Sequence, residues 1–106
     1  MYRKLKFMPY ANAHVYDQNE FDIPVVELWS YHTCVVRVIR GHWVQCSGLY
    51  SMTTRKHISA FMREFFPELE GKGFQLCKQI AGKGVEMDVR TGEIRPYLDG
   101  GHETWK

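Results

Sequence analysis

Apolar runs in the middle of the chain predict three short β-strands. The first run, residues 25–31, is rich in β-branched and aromatic side chains, and the second, residues 33–39, is rich in β-branched ones. Both residue types are typical of strands. A third run, residues 43–46, follows Arg40-Gly41, where glycine accepts the positive φ of a tight hairpin turn. Because the connections are too short for a crossover, the three strands are predicted to form an antiparallel meander.

The next segment has the period of an amphipathic helix, predicted over about residues 54–66. Four apolar residues recur at the i, i+3, i+4, i+7 spacing of one helix face, namely Ile58, Phe61, Met62 and Phe65. A hydroxyl of Thr53 or Thr54 is expected to cap the helix at its start, and Pro67 is expected to end it. The apolar side should pack on one face of the meander.

The flanking segments have weaker patterns. Residues 2–7 alternate as a short edge strand would, whereas residues 8–24 are predicted to be a long ordered loop or a flexible arm. A strand is expected only after Pro24, which has no N–H for a ladder. Residues 74–80 alternate in strand fashion, and residues 85–97 read as a hairpin around Gly92.

Together these elements predict one α+β domain, an antiparallel β-meander with one amphipathic helix packed on one face and a C-terminal strand plus β-hairpin. Its parts are an N-terminal strand and arm (1–24), a βββα unit (25–66), the C-terminal strand and hairpin (74–97), and a frayed tail (98–106). A chain of 106 residues fits a single compact domain.

Charge is distributed unevenly, although the net charge of +2 is too small to indicate a partner. Residues 17–27 carry four acids and no Lys or Arg, whereas residues 32–66 carry five Lys or Arg residues against Glu64 alone. Three cysteines without a CxxC pair disfavour a disulfide framework. The sequence shows no signal peptide and no transmembrane stretch, so a cytoplasmic protein is expected.

Two short blocks of sequence are distinctive. They are Glu27-Leu28-Trp29-Ser30-Tyr31-x-Thr33 and, after the apolar hairpin, Tyr50-Ser51-x-Thr53-Thr54-x-Lys56-His57-Ile58. With these blocks, residues 27–62 resemble a group of small uncharacterised proteins encoded by phages, prophages and other mobile elements. The resemblance assigns no catalytic residue. It implies a protein of the host bacterial cytoplasm that acts stoichiometrically on a host or defence machine.

The basic middle of the chain supplies the candidate binding residues. Those expected to contact a partner or an anion are Arg37, Arg40, Arg55, Lys56, His57, Ser59 and Arg63. Tyr31, Trp43 and Tyr50 could stack on bases beside them. The free amides of the helix start, with Arg55 and Lys56, also suit an anion. The alternative is a solvated helix face with the aromatic rings in the core.

Metal binding and catalysis are weaker interpretations. His32, Cys34, His42 and Cys46 are candidate zinc ligands, but they lack the tight paired spacings of structural sites, so neither a metal nor a cofactor is predicted. A small enzyme could be built around His57, with nearby hydroxyls as nucleophiles. The sequence has no nucleophile elbow and no phosphate-binding loop, so no catalytic residue is predicted.

The function predicted from the sequence is therefore that of a non-catalytic accessory protein that binds a host macromolecule. The partner expected is a host protein or a protein–nucleic-acid complex, and no membrane. The more specific hypothesis is an inhibitor of a nucleic-acid-guided defence complex, as anti-CRISPR proteins are. The alternative is a small RNA- or DNA-binding module that uses the basic, aromatic-rich surface.

Overall fold

The computed structural model describes residues 2–20 and 23–97, which form seven strands and two α-helices. In chain order these elements are β1 (Tyr2–Lys4), β2 (Ala13–Glu20), β3 (Ile23–Ser30), β4 (Thr33–Ile39), β5 (Trp43–Cys46), α1 (Met52–Phe65), α2 (Gly73–Ile80), β6 (Val85–Asp88) and β7 (Ile94–Pro96). A short 3₁₀ turn, Pro67–Leu69, lies between the two helices.

The strands form one antiparallel sheet whose spatial order equals the chain order, β1 to β7. Every neighbouring pair is antiparallel, including β5 and β6, which pair although both helices lie between them in the chain. The predicted α+β class and the meander are therefore confirmed. The chain leaves the sheet after β5, forms the two helices and rejoins the sheet at β6.

Both helices pack on the same side of the sheet, here called the helix face. Its cross-strand partners are apolar, with Val15 opposite Leu28, Leu28 opposite Val36, and Val44 opposite Met87. The predicted apolar side of α1 meets this face through Ile58, Phe61 and Met62, which are buried. Phe65 is only partly buried and contacts the ring of Phe61 at 4.7 Å between centroids.

The other side of the sheet, here called the polar face, carries a row of charged and amide side chains. The row consists of Tyr16, Glu27, Arg37, Gln45, Glu86 and Arg95, which are cross-strand partners. Arg37 Nη2 lies 2.6 Å from Glu27 Oε2, Gln45 donates to Glu86 Oε1 at 2.8 Å, and Arg95 donates to Glu86 Oε2 at 2.7 Å. Glu27, Arg37, Gln45 and Glu86 are buried. Their charges are compensated, because Glu27 pairs with Arg37 and Glu86 pairs with Arg95.

The predicted strand over residues 74–80 is wrong, because this segment is helix α2. Its apolar residues fit either period, and packing decides between them. In the helix, Leu76, Cys77 and Ile80 lie on one buried side, whereas an alternating strand would place Cys77 with the two glutamines. Gly73 allows α2 to start against α1, since a Cβ there would lie 2.4 Å from Met62 Cβ.

The predicted loop or arm over residues 8–24 is also wrong in part, because residues 13–20 form β2. Ala13 and Val15 are buried on the helix face, and His14 and Tyr16 lie on the other side. Strand β3 begins before Pro24, which is accommodated because its carbonyl still accepts from the Arg40 N–H at 2.9 Å. The predicted tail, residues 98–106, lies outside the described residues.

The helix cap differs from the prediction as well. Ser51, not Thr53 or Thr54, is the N-cap of α1, and its hydroxyl accepts from the Thr54 N–H at 3.2 Å. Serine is a preferred residue at this position because its oxygen satisfies an unpaired amide. The helix ends where predicted, with Phe66 as the C-cap immediately before Pro67.

The first prediction concerns the α1–α2 contact. Gly73→Ala should destabilise the protein by about 1–3 kcal/mol, because the added methyl overpacks the interface with Met62. Alanine favours helix over glycine by roughly 0.5–1 kcal/mol, so propensity alone predicts the opposite sign. Urea denaturation measures the change, with exposed Gln79→Ala in the same helix as the control. A more stable Gly73→Ala variant would contradict this packing.

The second prediction concerns the faces of α1. Phe61→Ala should cost about 3–5 kcal/mol, since the ring is fully buried in the core. Arg63→Ala should cost about 1 kcal/mol or less, because this side chain is exposed and stacks on Phe7, with its guanidinium 4.5 Å from the ring centroid. Equal melting temperatures for the two variants would reverse the assignment of the helix faces.

Candidate binding site

A buried hydrogen-bond network fastens the start of α1 to the end of β3. The Ser30 hydroxyl lies 2.8 Å from His57 Nδ1 and 3.0 Å from Thr54 Oγ1. Thr54 Oγ1 in turn accepts from the Ser51 hydroxyl at 3.3 Å. Ser30, Thr54 and His57 are all buried. The network therefore fixes the position of the first helical turn relative to the sheet.

Two tyrosines flank this network and project into solvent. Tyr31 follows Ser30 and is 47% exposed, and Tyr50 precedes the cap residue Ser51 and is 56% exposed. Both have left-handed backbone conformations, with φ of 56° and 52°. A side chain in this region costs about 1–2 kcal/mol, and such strain is concentrated at functional sites.

Other contacts hold these two strained residues in place. The Tyr31 N–H donates to the Asn12 carbonyl at 2.8 Å, and the Tyr50 hydroxyl lies 2.9 Å from Ser47 Oγ. The Tyr31 ring in turn contacts the His57 ring, with 5.8 Å between centroids, so both exposed rings have a contact within the protein.

Arg55 and Lys56 complete the exposed surface at the helix start. Both are exposed, and within the described part of the chain neither forms a salt bridge. Together with the two tyrosines they form what is here called the helix-start surface, defined by Tyr31, Tyr50, Arg55 and Lys56. It combines uncompensated positive charge with aromatic area.

The structure also contains an open cleft that sequence reasoning missed. It has a volume of about 500 Å³ and is lined by Tyr2, Asn12, His14, Trp29, Tyr31 and His32. These residues come from β1, β2, β3 and the adjoining turns, on the polar face. His14 is opposite Trp29 in register, and Tyr31 belongs to both the cleft and the helix-start surface.

The rings of the cleft are held by their neighbours. Tyr2 contacts the ring of Tyr16 at 4.4 Å and that of His14 at 6.0 Å between centroids. The indole N–H of Trp29 donates to Glu27 Oε1 at 3.1 Å. Since that N–H is already bonded, Trp29 presents its ring to the cleft as an aromatic surface.

Comparison with known proteins identifies a family for this chain. Residues 3–80 match a family of unknown function, DUF8033. The chain belongs to this family. The match extends from β1 to α2, so the cleft and the helix-start surface both lie within it. No curated protein and no solved structure matches the chain significantly.

Three of the predicted site residues of this DUF8033 protein do not lie on the surface. Arg37 is buried and paired with Glu27 in the polar row. Trp43 is buried, and the Arg95 guanidinium lies 3.5 Å above its ring. His57 is only 1% exposed because it belongs to the internal network. The structure therefore buries Arg37 and His57, which were expected to contact a partner or an anion, and Trp43, which was expected to stack on a base.

The remaining predicted residues are exposed but separate. Arg40 is exposed at the far end of β4 from Tyr31, a distance of roughly 20 Å for a seven-residue strand. Arg63 stacks on Phe7 further along α1, and Ser59 is partly buried. Only Arg55 and Lys56 remain beside Tyr31 and Tyr50.

The candidate zinc ligands do not converge. A β-bulge between β3 and β4 pairs Cys34 with Trp29, and the Cys34 thiol lies beside Glu27, where burial raises its pKa. The Cys46 thiol instead donates to the Gly48 carbonyl at 3.5 Å and lies beside Cys77 of α2 on the helix face. His42 lies 3.3 Å from Asp88 at the opposite end of the sheet from His32. In the residues described, no group of three or more His, Cys, Asp or Glu side chains is arranged around a common point.

Ser30 and His57 are at hydrogen-bond distance, but the Ser30 hydroxyl is buried, so the pair has no open side for a substrate and serves as an anchor. Across the described residues, neither helix is both long and apolar enough to cross a bilayer.

The third prediction uses the buried histidine. Burial lowers the pKa of His57 below its ordinary value of about 6.5, so below that pH the unfolded chain binds more protons than the folded one. The free energy of unfolding should therefore fall as the pH decreases from about 6.5. Urea denaturation at pH 7.5 and 5.0 measures the loss, which should be smaller in His57→Asn. Equal losses in both proteins would contradict the buried position of His57.

Proposed function

We propose that this DUF8033 protein is a non-catalytic binding protein that attaches to a host macromolecule through the helix-start surface. The observation that carries the proposal is the pair of tyrosines, Tyr31 and Tyr50, held exposed in strained conformations beside two cations without a described acidic partner. Aromatic rings and arginine are enriched where proteins make contact. A partner with an acidic surface complements this arrangement, and like charges would exclude basic ones.

The likeness of residues 27–62 to proteins of phages and other mobile elements supports a more specific proposal. The two distinctive blocks meet in the folded chain, since Ser30 of the first is hydrogen-bonded to Thr54 and His57 of the second. Three of the four residues of the helix-start surface, Tyr31, Tyr50 and Lys56, belong to these blocks. On this basis the protein is an accessory factor of a mobile element, and its target is a nucleic-acid-guided defence complex in the host cytoplasm that it inhibits, as anti-CRISPR proteins do.

The second candidate, an RNA- or DNA-binding module based on the predicted basic surface, has less support. Arg37 and Trp43 are not available to that surface, because Arg37 is buried in its ion pair with Glu27 and Trp43 is buried beneath the guanidinium of Arg95. Arg40 lies at the other end of its strand. Two exposed cations next to two tyrosines are a small site for a phosphate backbone, whose affinity grows with the number of neutralised charges.

The fourth prediction tests this function by charge reversal. Arg55→Glu with Lys56→Glu should abolish capture of the partner from host lysate, because the attraction is concentrated on these two residues. The fold should remain, since both side chains are exposed and form no salt bridge within the described part of the chain. Pull-down with and without nuclease measures binding, and the melting temperature measures folding.

The matched control is Glu68→Lys with Glu70→Lys, which reverses two exposed charges just beyond the other end of α1. This variant should bind the partner as the natural chain does. Capture should weaken gradually with added salt for a protein partner and steeply for a nucleic acid. Loss of binding in the control together with full binding by the Arg55, Lys56 variant would place the functional surface elsewhere.

A further inference from the structure

We infer that the aromatic cleft binds an unpaired base of a single-stranded nucleic acid, with Lys4 positioned for an adjoining phosphate. This inference is independent of the proposed partner of the helix-start surface, because five of the six lining residues lie outside that surface. It rests on the ring content of the cleft, on its hydrogen-bonding groups, on its charge and on its size.

The lining favours a flat ligand. Five of the six lining residues have an aromatic or imidazole ring, and every nucleobase has a π-face that stacks on such rings. Tyr2 and Tyr31 are substantially exposed at 62% and 47%, so their rings are accessible from solvent. Trp29 contributes a ring whose only polar hydrogen is already bonded to Glu27.

Hydrogen-bonding groups accompany the rings. His14, His32 and Asn12 line the same cleft, and residues of these types have both donors and acceptors for the edge of a base. A base in a duplex is paired and stacked between its neighbours, whereas a base in a single strand can enter a cleft and expose its edge. The cleft therefore distinguishes single strands from duplexes.

The charge around the cleft suits an anionic ligand. No carboxylate is among the lining residues, and the nearby Glu27 is neutralised by Arg37 at 2.6 Å. Lys4 is opposite His14 in the β1–β2 register and is exposed, so its ammonium group lies on the same side of the sheet as His14. It is placed to contact the phosphate of a base held beside His14.

The size of the cleft sets the length of strand that it holds. A volume of about 500 Å³ lies within the range of about 300–1,000 Å³ for sites of small ligands. The cleft accommodates one nucleoside, and the rest of the strand must extend outside it. Binding should therefore show little dependence on sequence beyond that base.

The experiment is a fluorescence anisotropy titration of the full chain with labelled ten-nucleotide oligo-dT and oligo-U, and with duplexes of the same length. Saturable binding is expected for the single strands, with the duplexes at least about tenfold weaker. Tyr2→Ala should weaken single-strand binding by about tenfold, the loss expected for one stacking ring. Lys4→Ala should reduce the slope of the logarithm of the binding constant against the logarithm of salt concentration by about 1, the value for one lost phosphate contact.

The matched control is Tyr10→Ala, which removes a tyrosine that is 99% exposed and lies outside the cleft. The affinity of the Tyr10→Ala variant for the single strands should stay within about twofold of that of the natural chain. Absence of saturable single-strand binding, equal binding of duplexes, or equal losses in Tyr2→Ala and Tyr10→Ala would each overturn the inference. None of these outcomes depends on the host partner, so the helix-start surface is tested separately by its own charge reversal.

Discussion

The row of compensated charges on the polar face is the interaction on which the rest of the structure depends. Two helices can cover only one side of a seven-stranded sheet, and in the centre of the other side Glu27, Arg37 and Glu86 are buried. Breaking a buried pair leaves one charge uncompensated at a cost of about 3–5 kcal/mol. A shift of one residue in the pairing of a strand would also move its charged side chain to the apolar helix face. The row therefore fixes the register of the strands that it joins.

The register in turn positions both candidate surfaces. Because successive side chains alternate between the faces, Trp29 reaches the cleft while Ser30 reaches α1. The helix start is then tied to Ser30 through Thr54 and His57. Tyr31, at the turn where the chain leaves β3, lies between the two sides of the sheet. One strand end thus determines where the aromatic cleft and the exposed cations meet.

The parts of the fold that sequence predicted are those with local signals. Strands β4 and β5 have the predicted bounds because turn residues interrupt the apolar runs, and α1 begins two residues and ends one residue earlier than predicted. Helix α2 was not predictable in this way, since its short apolar pattern fits two periods and the close approach of Gly73 to Met62 decides between them. Strand β2 was missed because the charged Asp17 lies on the same side of the strand as the buried Ala13 and Val15 and interrupts the alternation.

The same reasoning explains which site residues were predictable. Arg55 and Lys56 were found because a helical period places them opposite the apolar side. Arg37 and His57 were misplaced because the burial of a polar group depends on a partner distant in sequence, here Glu27 and Ser30. What remains at the surface is preorganised, since the backbone of Tyr31 is held by Asn12, its ring contacts His57, and the hydroxyl of Tyr50 is held by Ser47. Side chains that are already ordered lose little entropy on association, so the strain in these two turns favours binding of a partner rather than rearrangement around one.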